Sequence, residues 1–334
     1  MVRPDDAIPH EVAFELVGHK TRLAILRALY EEHELDEPPP RSPVSFTTLR
    51  KRVGMDDGSQ FNYHLKKLVG RYIAQTGEGY LLEGAGYRII QTVLAGTALA
   101  DVEVAPKPFD IDCEYCGEET AVGYQDGYLY RVCTSCVGSL GRTDSGWSTA
   151  PSQKESDGIL SIFRVEPNWL TDRTDTEITE LLLTKWYLTI QSVIAGLCQA
   201  CSGVIEGELD ICRAHDSSGE TVCSTCNRRY QARAQFQCTT CSEPTGIQPE
   251  QLTVNHPAVV KFAADRGLKI GDPGDCESLR NSIRLAAKGD VTTIDAERET
   301  IAVTIPIEPA EIRVRIDAQL DCTVIEPDMQ ARVR

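Results

Sequence analysis

Six short pairs of metal-binding side chains constrain this chain more than anything else in it. Cys113 and Cys116, Cys133 and Cys136, Cys198 and Cys201, Cys223 and Cys226, and Cys238 and Cys241 are C-x-x-C pairs, and Cys212 with His215 makes a C-x-x-H pair. Eleven of the thirteen cysteines are used in this way, a pattern foreign to disulfide frameworks and natural for metal sites. Two ligands in a tight turn grip one ion, and a second pair from a distant turn closes a tetrahedral site. Twelve ligands divide into three complete sets, so three structural Zn²⁺ ions are expected, with iron–sulfur ligation the competing chemistry.

The first set is fixed by its isolation: Cys113, Cys116, Cys133 and Cys136 stand more than sixty residues from the other ligands. The remaining eight admit sequential, nested or interleaved pairing. Loop lengths favour the sequential arrangement, with Cys198, Cys201, Cys212 and His215 in one site and Cys223, Cys226, Cys238 and Cys241 in the next. A left-handed residue is expected after each second ligand, for which Gly117, Asn227 and Gly203 are the candidates. Cys276 and Cys322 are left over. Cys322 alternates with Leu320 and Val324 and reads as a small buried hydrophobe.

Residues 1–112 contain no cysteine and have a different texture. Residues 10–98 predict a run of four helices, a hairpin and a further helix. Leu23, Leu26 and Leu29 form an apolar stripe on the helix from Lys20 to Glu32. A proline-rich stretch, His33 to Pro43, ends it. Val44 to Phe46 resembles a short strand, and a helix follows from Thr47 or Thr48 through Val53. After a turn over Gly54–Gly58, Ser59 is placed to cap a helix running to about Val69. Phe61, Leu65 and Leu68 share its inner face; Gln60, Asn62, Tyr63, Lys66 and Lys67 fall on or beside the outer one. Two glycines between Arg71–Gln75 and Tyr80–Glu83 then predict a hairpin.

Charge follows the same division. The whole chain carries −16, which argues against coating nucleic acid by overall charge. Residues 41–77, however, hold seven basic residues (Arg41, Arg50, Lys51, Arg52, Lys66, Lys67 and Arg71) against Asp56 and Asp57, a local +5. Two helices joined by a tight turn, the second with a basic and amide outer face, and a hairpin beyond them describe a winged helix-turn-helix whose second helix enters the DNA major groove. Double-stranded DNA is the expected partner, through Arg50, Lys51, Arg52, Ser59, Gln60, Asn62, Tyr63, Lys66, Lys67 and Arg71, which supply amide contacts to base edges and cations to phosphates.

Residues 19–95 resemble the ArsR-type winged-helix family, through His19-Lys20-Thr21-Arg22-Leu23-Ala24-Ile25-Leu26 and Phe61-Asn62-Tyr63-His64-Leu65-Lys66-Lys67-Leu68. With its cysteine-rich remainder the chain is similar to haloarchaeal regulators that join this winged helix to a zinc ribbon of undefined function. The resemblance implies transcriptional regulation and no known ligand. It does not carry metal sensing into the winged helix, which lacks cysteine. A lysine-poor composition, ten lysines to 24 arginines, and an acidic surface suit a salt-rich archaeal, halophilic cytoplasm.

Further on, Tyr87, Ile90, Val93, Leu94 and Thr97 form a stripe over residues 85–98 that serves either as a homodimer contact or as packing within its own domain. Residues 99–112, with Pro106 and Pro108, read as a stiff linker to the first zinc ribbon, 113–140. Gly141–Gly158 reads as a mobile loop. Residues 159–326 are expected to form an α+β domain holding the two further zinc sites (198–241). Thr174-Asp175-Thr176-Glu177 is a capping box that opens a helix, His256–Arg266 is another helix, and three alternating runs from Ile301 to Val324 predict an antiparallel meander.

The fold class expected is thus α+β, an N-terminal winged helix-turn-helix before a zinc-ribbon-containing α+β domain with a C-terminal antiparallel β-meander. The leading function is a sequence-specific regulator with a sensor or partner-binding C-terminal domain. Alternatives are a general transcription factor like the archaeal TFE, contacting polymerase and promoter, and a zinc-stabilised protein-docking module. A metal-dependent enzyme is least expected: the ligands come in complete fours, and H-E-x-x-H, G-x-x-x-x-G-K-[ST] and G-x-S-x-G are absent. No secretory leader or membrane span is read from the sequence, so a cytoplasmic protein without membrane contact is expected.

Overall fold

The structure, a computed structural model, describes residues 15–32, 42–95, 102–139, 158–216, 221–295 and 297–325. Arg41, Thr97, nearly all of the expected 141–158 loop and most of the proline-rich 33–43 stretch lie outside them. The chain divides into two compact units, with the second beginning at Asp101. The architecture is mixed α+β with several antiparallel sheets.

In the first unit, α1 (Lys20–Glu32) buries Ile25, Leu26 and Leu29, as its leucine spacing requires. Ser45 caps α2 (Phe46–Val53), its Oγ accepting the Thr48 N–H at 3.1 Å. Gly54, left-handed at φ 72°, ends that helix. In α3 (Gly58–Leu68) the cap is Asp57 and not the expected Ser59: its Oδ1 accepts the N–H groups of Ser59 at 2.8 Å and Gln60 at 3.0 Å. A carboxylate facing the positive helix end outcompetes a hydroxyl two residues later.

The hairpin pairs β1 (Ile73–Gln75) with β2 (Tyr80–Leu82), and Val44 contributes one bridge to Tyr80 in place of a separate strand. Gly79, at φ 156°, passes so near this bridge that a Cβ would lie 2.4 Å from the Val44 carbonyl oxygen. In α4 (Gly84–Leu94) Ile90 is buried, and Tyr87 and Ile89 pack against the core formed by α1, α2, α3 and the hairpin. Tyr87 and Ile90 of that stripe therefore pack within their own unit, while Leu94 stays exposed.

The second unit departs from the expected boundaries. Residues Val104–Phe109, read as linker, form β3, the edge of an antiparallel sheet with β4 (Thr120–Gln125), β5 (Tyr128–Cys133) and β6 (Ile159–Arg164). Pro106 and Pro108 obscure this strand in the sequence, yet an edge position tolerates them. Because β6 belongs to this sheet, the first ribbon and the segment after residue 158 are one structural layer. α5 (Asp175–Ile194), opened by the expected Thr174–Glu177 capping box, packs Ile178, Leu181 and Leu182 with Val122, Tyr124 and Leu129 of the sheet.

A three-stranded sheet follows: β7 (Ile205–Ile211), β8 (Ala232–Cys238) and β9 (Pro244–Ile247). Next come α6 (Pro249–Val254), α7 (Pro257–Ala264) and α8 (Cys276–Ala286). α7 is shorter than its expected 256–266 span: His256 is its N-cap, Nδ1 accepting the Ala258 N–H at 3.2 Å, and Asp265 is its C-cap. The meander has four strands, not three: β10 (Asp290–Asp295) precedes β11 (Thr300–Ile307), β12 (Ala310–Ile316) and β13 (Cys322–Ile325) in spatial order. Ile301, Val303, Ile305, Val314 and Ile316 are fully buried in its shared core. Cys322 is half-buried against that core.

Candidate metal centres and a basic helix face

Three groups of four ligand atoms converge in the second unit, each with all atoms within 4.8 Å of one another. The first is Cys113, Cys116, Cys133 and Cys136, as expected. The second is Cys198, Cys201, Cys238 and Cys241, and the third Cys212, His215, Cys223 and Cys226. The preferred sequential pairing is therefore wrong, and the sites are nested. The β7–β8 hairpin explains why. Ile205 pairs with Cys238 at one end and Ile211 with Ala232 at the other, so the turns flanking β7 meet the two turns flanking β8 at opposite ends of one ladder. Loop length alone ignores the strands that carry the turns.

The spacing suits a single tetrahedral ion. Cys113 and Cys136 sulfurs are 3.6 Å apart, Cys116 and Cys133 3.5 Å, Cys198 and Cys241 3.7 Å, Cys201 and Cys238 3.5 Å, and Cys212 and Cys223 3.9 Å. A tetrahedron with metal–sulfur bonds of about 2.3 Å has edges of about 3.8 Å, whereas a disulfide requires about 2.05 Å. The Cys226 sulfur and His215 Nδ1, 3.5 Å apart, complete the third set. Each cluster could thus hold one metal ion through four protein ligands.

Local backbone geometry builds these knuckles. Gly117 at φ 75° and Asn227 at φ 53° take the left-handed position after the second ligand, and their N–H groups return to the Cys113 and Cys223 carbonyls. At Cys201 that position belongs to Ser202 (φ 59°) and not to Gly203. Backbone N–H groups then aim at sulfur. Cys241 and Thr240 donate to Cys238 at 3.4 and 3.3 Å, and these donors draw the Cys238 thiol down to about 6. Around Cys133, burial opposes ionisation, but donation from Ser135 and Cys136 prevails and lowers the thiol to about 7. Those two thiolates are suited to metal binding, whereas burial pushes the Cys113 thiol up and the Cys212 thiol up to about 11.

Charged side chains outside the ligand sets were not legible as parts of the sites. Buried Arg131 donates to the Asp112 carbonyl at 2.8 Å and pairs with Glu114 at 3.0 Å, fixing the first knuckle from β5. Arg229 donates to the Cys136 sulfur at 3.4 Å and stands over the Tyr115 ring. Buried Arg228 pairs with Asp210 at 2.9 Å. Their one sequence signal is position, since two arginines directly follow the Cys223–Asn227 knuckle.

In the first unit, Ser59, Gln60, Tyr63, Lys66 and Lys67 are exposed on α3, with Asn62 half-buried beside them. Lys67 lies over the Tyr63 ring at 5.8 Å. Lys51 and Arg71 are also exposed. Two of the ten expected contact residues have other partners: Arg50 donates to the Asp56 carbonyl at 2.6 Å, and Arg52 is paired with Glu32. His64 is buried and stacks on His19 with ring centroids 4.3 Å apart. Burial, and then the charges of His19 and Arg22, lower its pKa.

Among the described residues no helix is long and apolar enough to cross a membrane. Two family models match the chain: a domain of unknown function (DUF7347) over residues 9–93, and a domain of unknown function (DUF7351) over residues 110–322. No curated protein matches it.

Proposed function

We propose that this chain, which belongs to the family described as a domain of unknown function (DUF7351), is a DNA-binding transcriptional regulator of the ArsR-like winged-helix kind whose C-terminal unit is held in shape by three structural Zn²⁺ ions. The observation that carries the reading is the exposed face of α3, where Gln60, Tyr63, Lys66 and Lys67 project from a helix whose other side is sealed by Phe61, Leu65 and Leu68. The order α2, turn, α3, hairpin supports reading α3 as a recognition helix and Thr76–Gly79 as its wing. Gln60 and Asn62 supply amides for adenine edges, and Lys66, Lys67, Lys51 and Arg71 meet phosphates. The N-terminus of α3 takes no phosphate, since Asp57 already engages its N–H groups.

Zinc fits a set of four thiolates and a Cys₃His set better than a hard cation does. Four protein ligands leave no open position for catalysis, so the ions are structural and no enzymatic step is assigned. The C-terminal unit then serves as a sensor or partner-binding module in a cytoplasmic protein. A dimer through the exposed Leu94 of α4 would match paired half-sites on a duplex.

Selection of bound fragments from a random duplex pool tests the DNA reading. A preferred, two-fold site is expected, and return of the unselected pool would refute it. Elemental analysis of the purified chain is expected to give three zinc ions on the twelve-ligand count.

A further inference from the structure

The three clusters differ in how they meet solvent. In the third, Cys212 and Cys223 are buried and Cys226 is half-buried; in the first, Cys116 alone is exposed; in the second, both Cys201 and Cys241 are exposed. Side-chain cover differs too. Arg229 donates to Cys136 in the first cluster, and no thiol of the third is exposed. Gly203, whose backbone N–H donates to Cys201 at 3.4 Å, has no side chain to shield that sulfur; a Cβ at Gly203 would come within 3.1 Å of it.

A metal-bound thiolate is a nucleophile toward electrophilic oxygen, and its reactivity follows exposure and retained negative charge. A guanidinium beside sulfur withdraws that charge. The ordering is therefore set by geometry. We propose that the second cluster is a modification site for hydroperoxides: the Cys201 thiolate reacts first, closes a disulfide with Cys238, and releases that metal ion while the other two remain.

The step balances. The Cys201 sulfur attacks one peroxide oxygen, the O–O bond breaks, and the sulfur becomes a sulfenic acid as hydroxide leaves and takes a solvent proton. The Cys238 thiolate, 3.5 Å away, then displaces hydroxide from that sulfur to form the S–S bond, and a second solvent proton completes the second water. Two thiolates lose two electrons, one hydrogen peroxide becomes two waters, and the metal loses two of its four ligands.

The inference rests on the clusters being metal sites, and metal content measured before oxidant is added separates failure of that premise from failure of the proposal. The full-length metal-loaded chain is treated with up to one equivalent of hydrogen peroxide, metal release is followed with a chromogenic chelator, and remaining thiols are alkylated and mapped by mass spectrometry. Loss of one metal of three, with a Cys201–Cys238 disulfide and intact thiols in the first and third clusters, is expected. Oxidation at Cys116 or Cys226 as fast as at Cys201, a first disulfide without Cys201, or no oxidation would overturn it.

Discussion

Arg229 donates a guanidinium N–H to the Cys136 sulfur at 3.4 Å, joining residues 93 positions apart in the chain. Its backbone N–H also donates to the Ser139 carbonyl at 3.0 Å, so the segment leaving the third metal cluster is anchored on the second knuckle of the first. Partners of ligating atoms commonly set metal affinity by about ten- to a hundredfold. Arg229→Gln is therefore expected to speed metal loss from the first cluster by about that factor while leaving the second unchanged. Chelator competition, with alkylation of Cys113 and Cys198 as separate reporters, measures it. Equal loss from both clusters would contradict the local role.

Arg131 is buried, and the terminal nitrogen that pairs with Glu114 also donates toward the Ile111 and Asp112 carbonyls. Removing one member of a buried pair strands the other, at a cost of about 3–5 kcal/mol. Arg131→Ala is expected to lower the urea midpoint by a corresponding amount, and Arg131→Met with Glu114→Gln to recover much of it. A single variant indistinguishable from the parent would show that the pair contributes nothing.

Lys66 and Lys67 are exposed at the last turn of α3. If both meet phosphate, alanine at each weakens duplex binding and flattens the slope of log K against log salt by about 0.9 per contact. Titration by fluorescence anisotropy at several salt concentrations reads both quantities. An unchanged slope would remove these lysines from the interface.

Glu250, in α6, has its Oε2 enclosed without a hydrogen-bond partner. Burial, with the Asp290 charge adding to it, raises the carboxyl from 4.5 to about 7 despite an opposing backbone hydrogen bond. The folded chain thus holds a proton that the unfolded chain releases at lower pH. The contribution to stability is full below about 4.5, declines as pH rises, and is gone past about 7. Glu250→Gln stays neutral and is expected to exceed the parent in stability above pH 7 by on the order of 1–3 kcal/mol. Urea midpoints compared from pH 6 to 8.5 test the sign; a constant difference would exclude this carboxyl as its source.

What the sequence disclosed depended on how strongly each segment was patterned. The leucines of α1 and the alternation in β12 stood out because one face of each is deeply buried, and the exposed Thr174–Glu177 box because its reciprocal hydrogen bonds span only four residues. β10 was hidden because both its faces carry polar residues, and β3 because of its two prolines. The twelve side chains that gather into three sets were legible from their spacing. Their grouping was not, although Ala232, Ala234, Phe236 and Cys238 alternate inward along β8; recognising that run as a strand, and its partner in β7, would have given the nested pairing. Arg131 and Arg229 lay beyond reach because their partners come from distant segments.

Nesting also bears on how the β7–β8 ladder aligns. A slide by one residue would turn every side chain of a strand to the opposite face and displace its ends by about 3.3 Å. With a tetrahedral clamp at each extremity, such a slide pulls apart both ligand sets together, so alignment is dictated from the tips inward. The clamps thus add to the inward packing of Leu209, Ala234 and Phe236, while Glu206 and Glu208 stand opposite Gln237 and Gln235 on the other face.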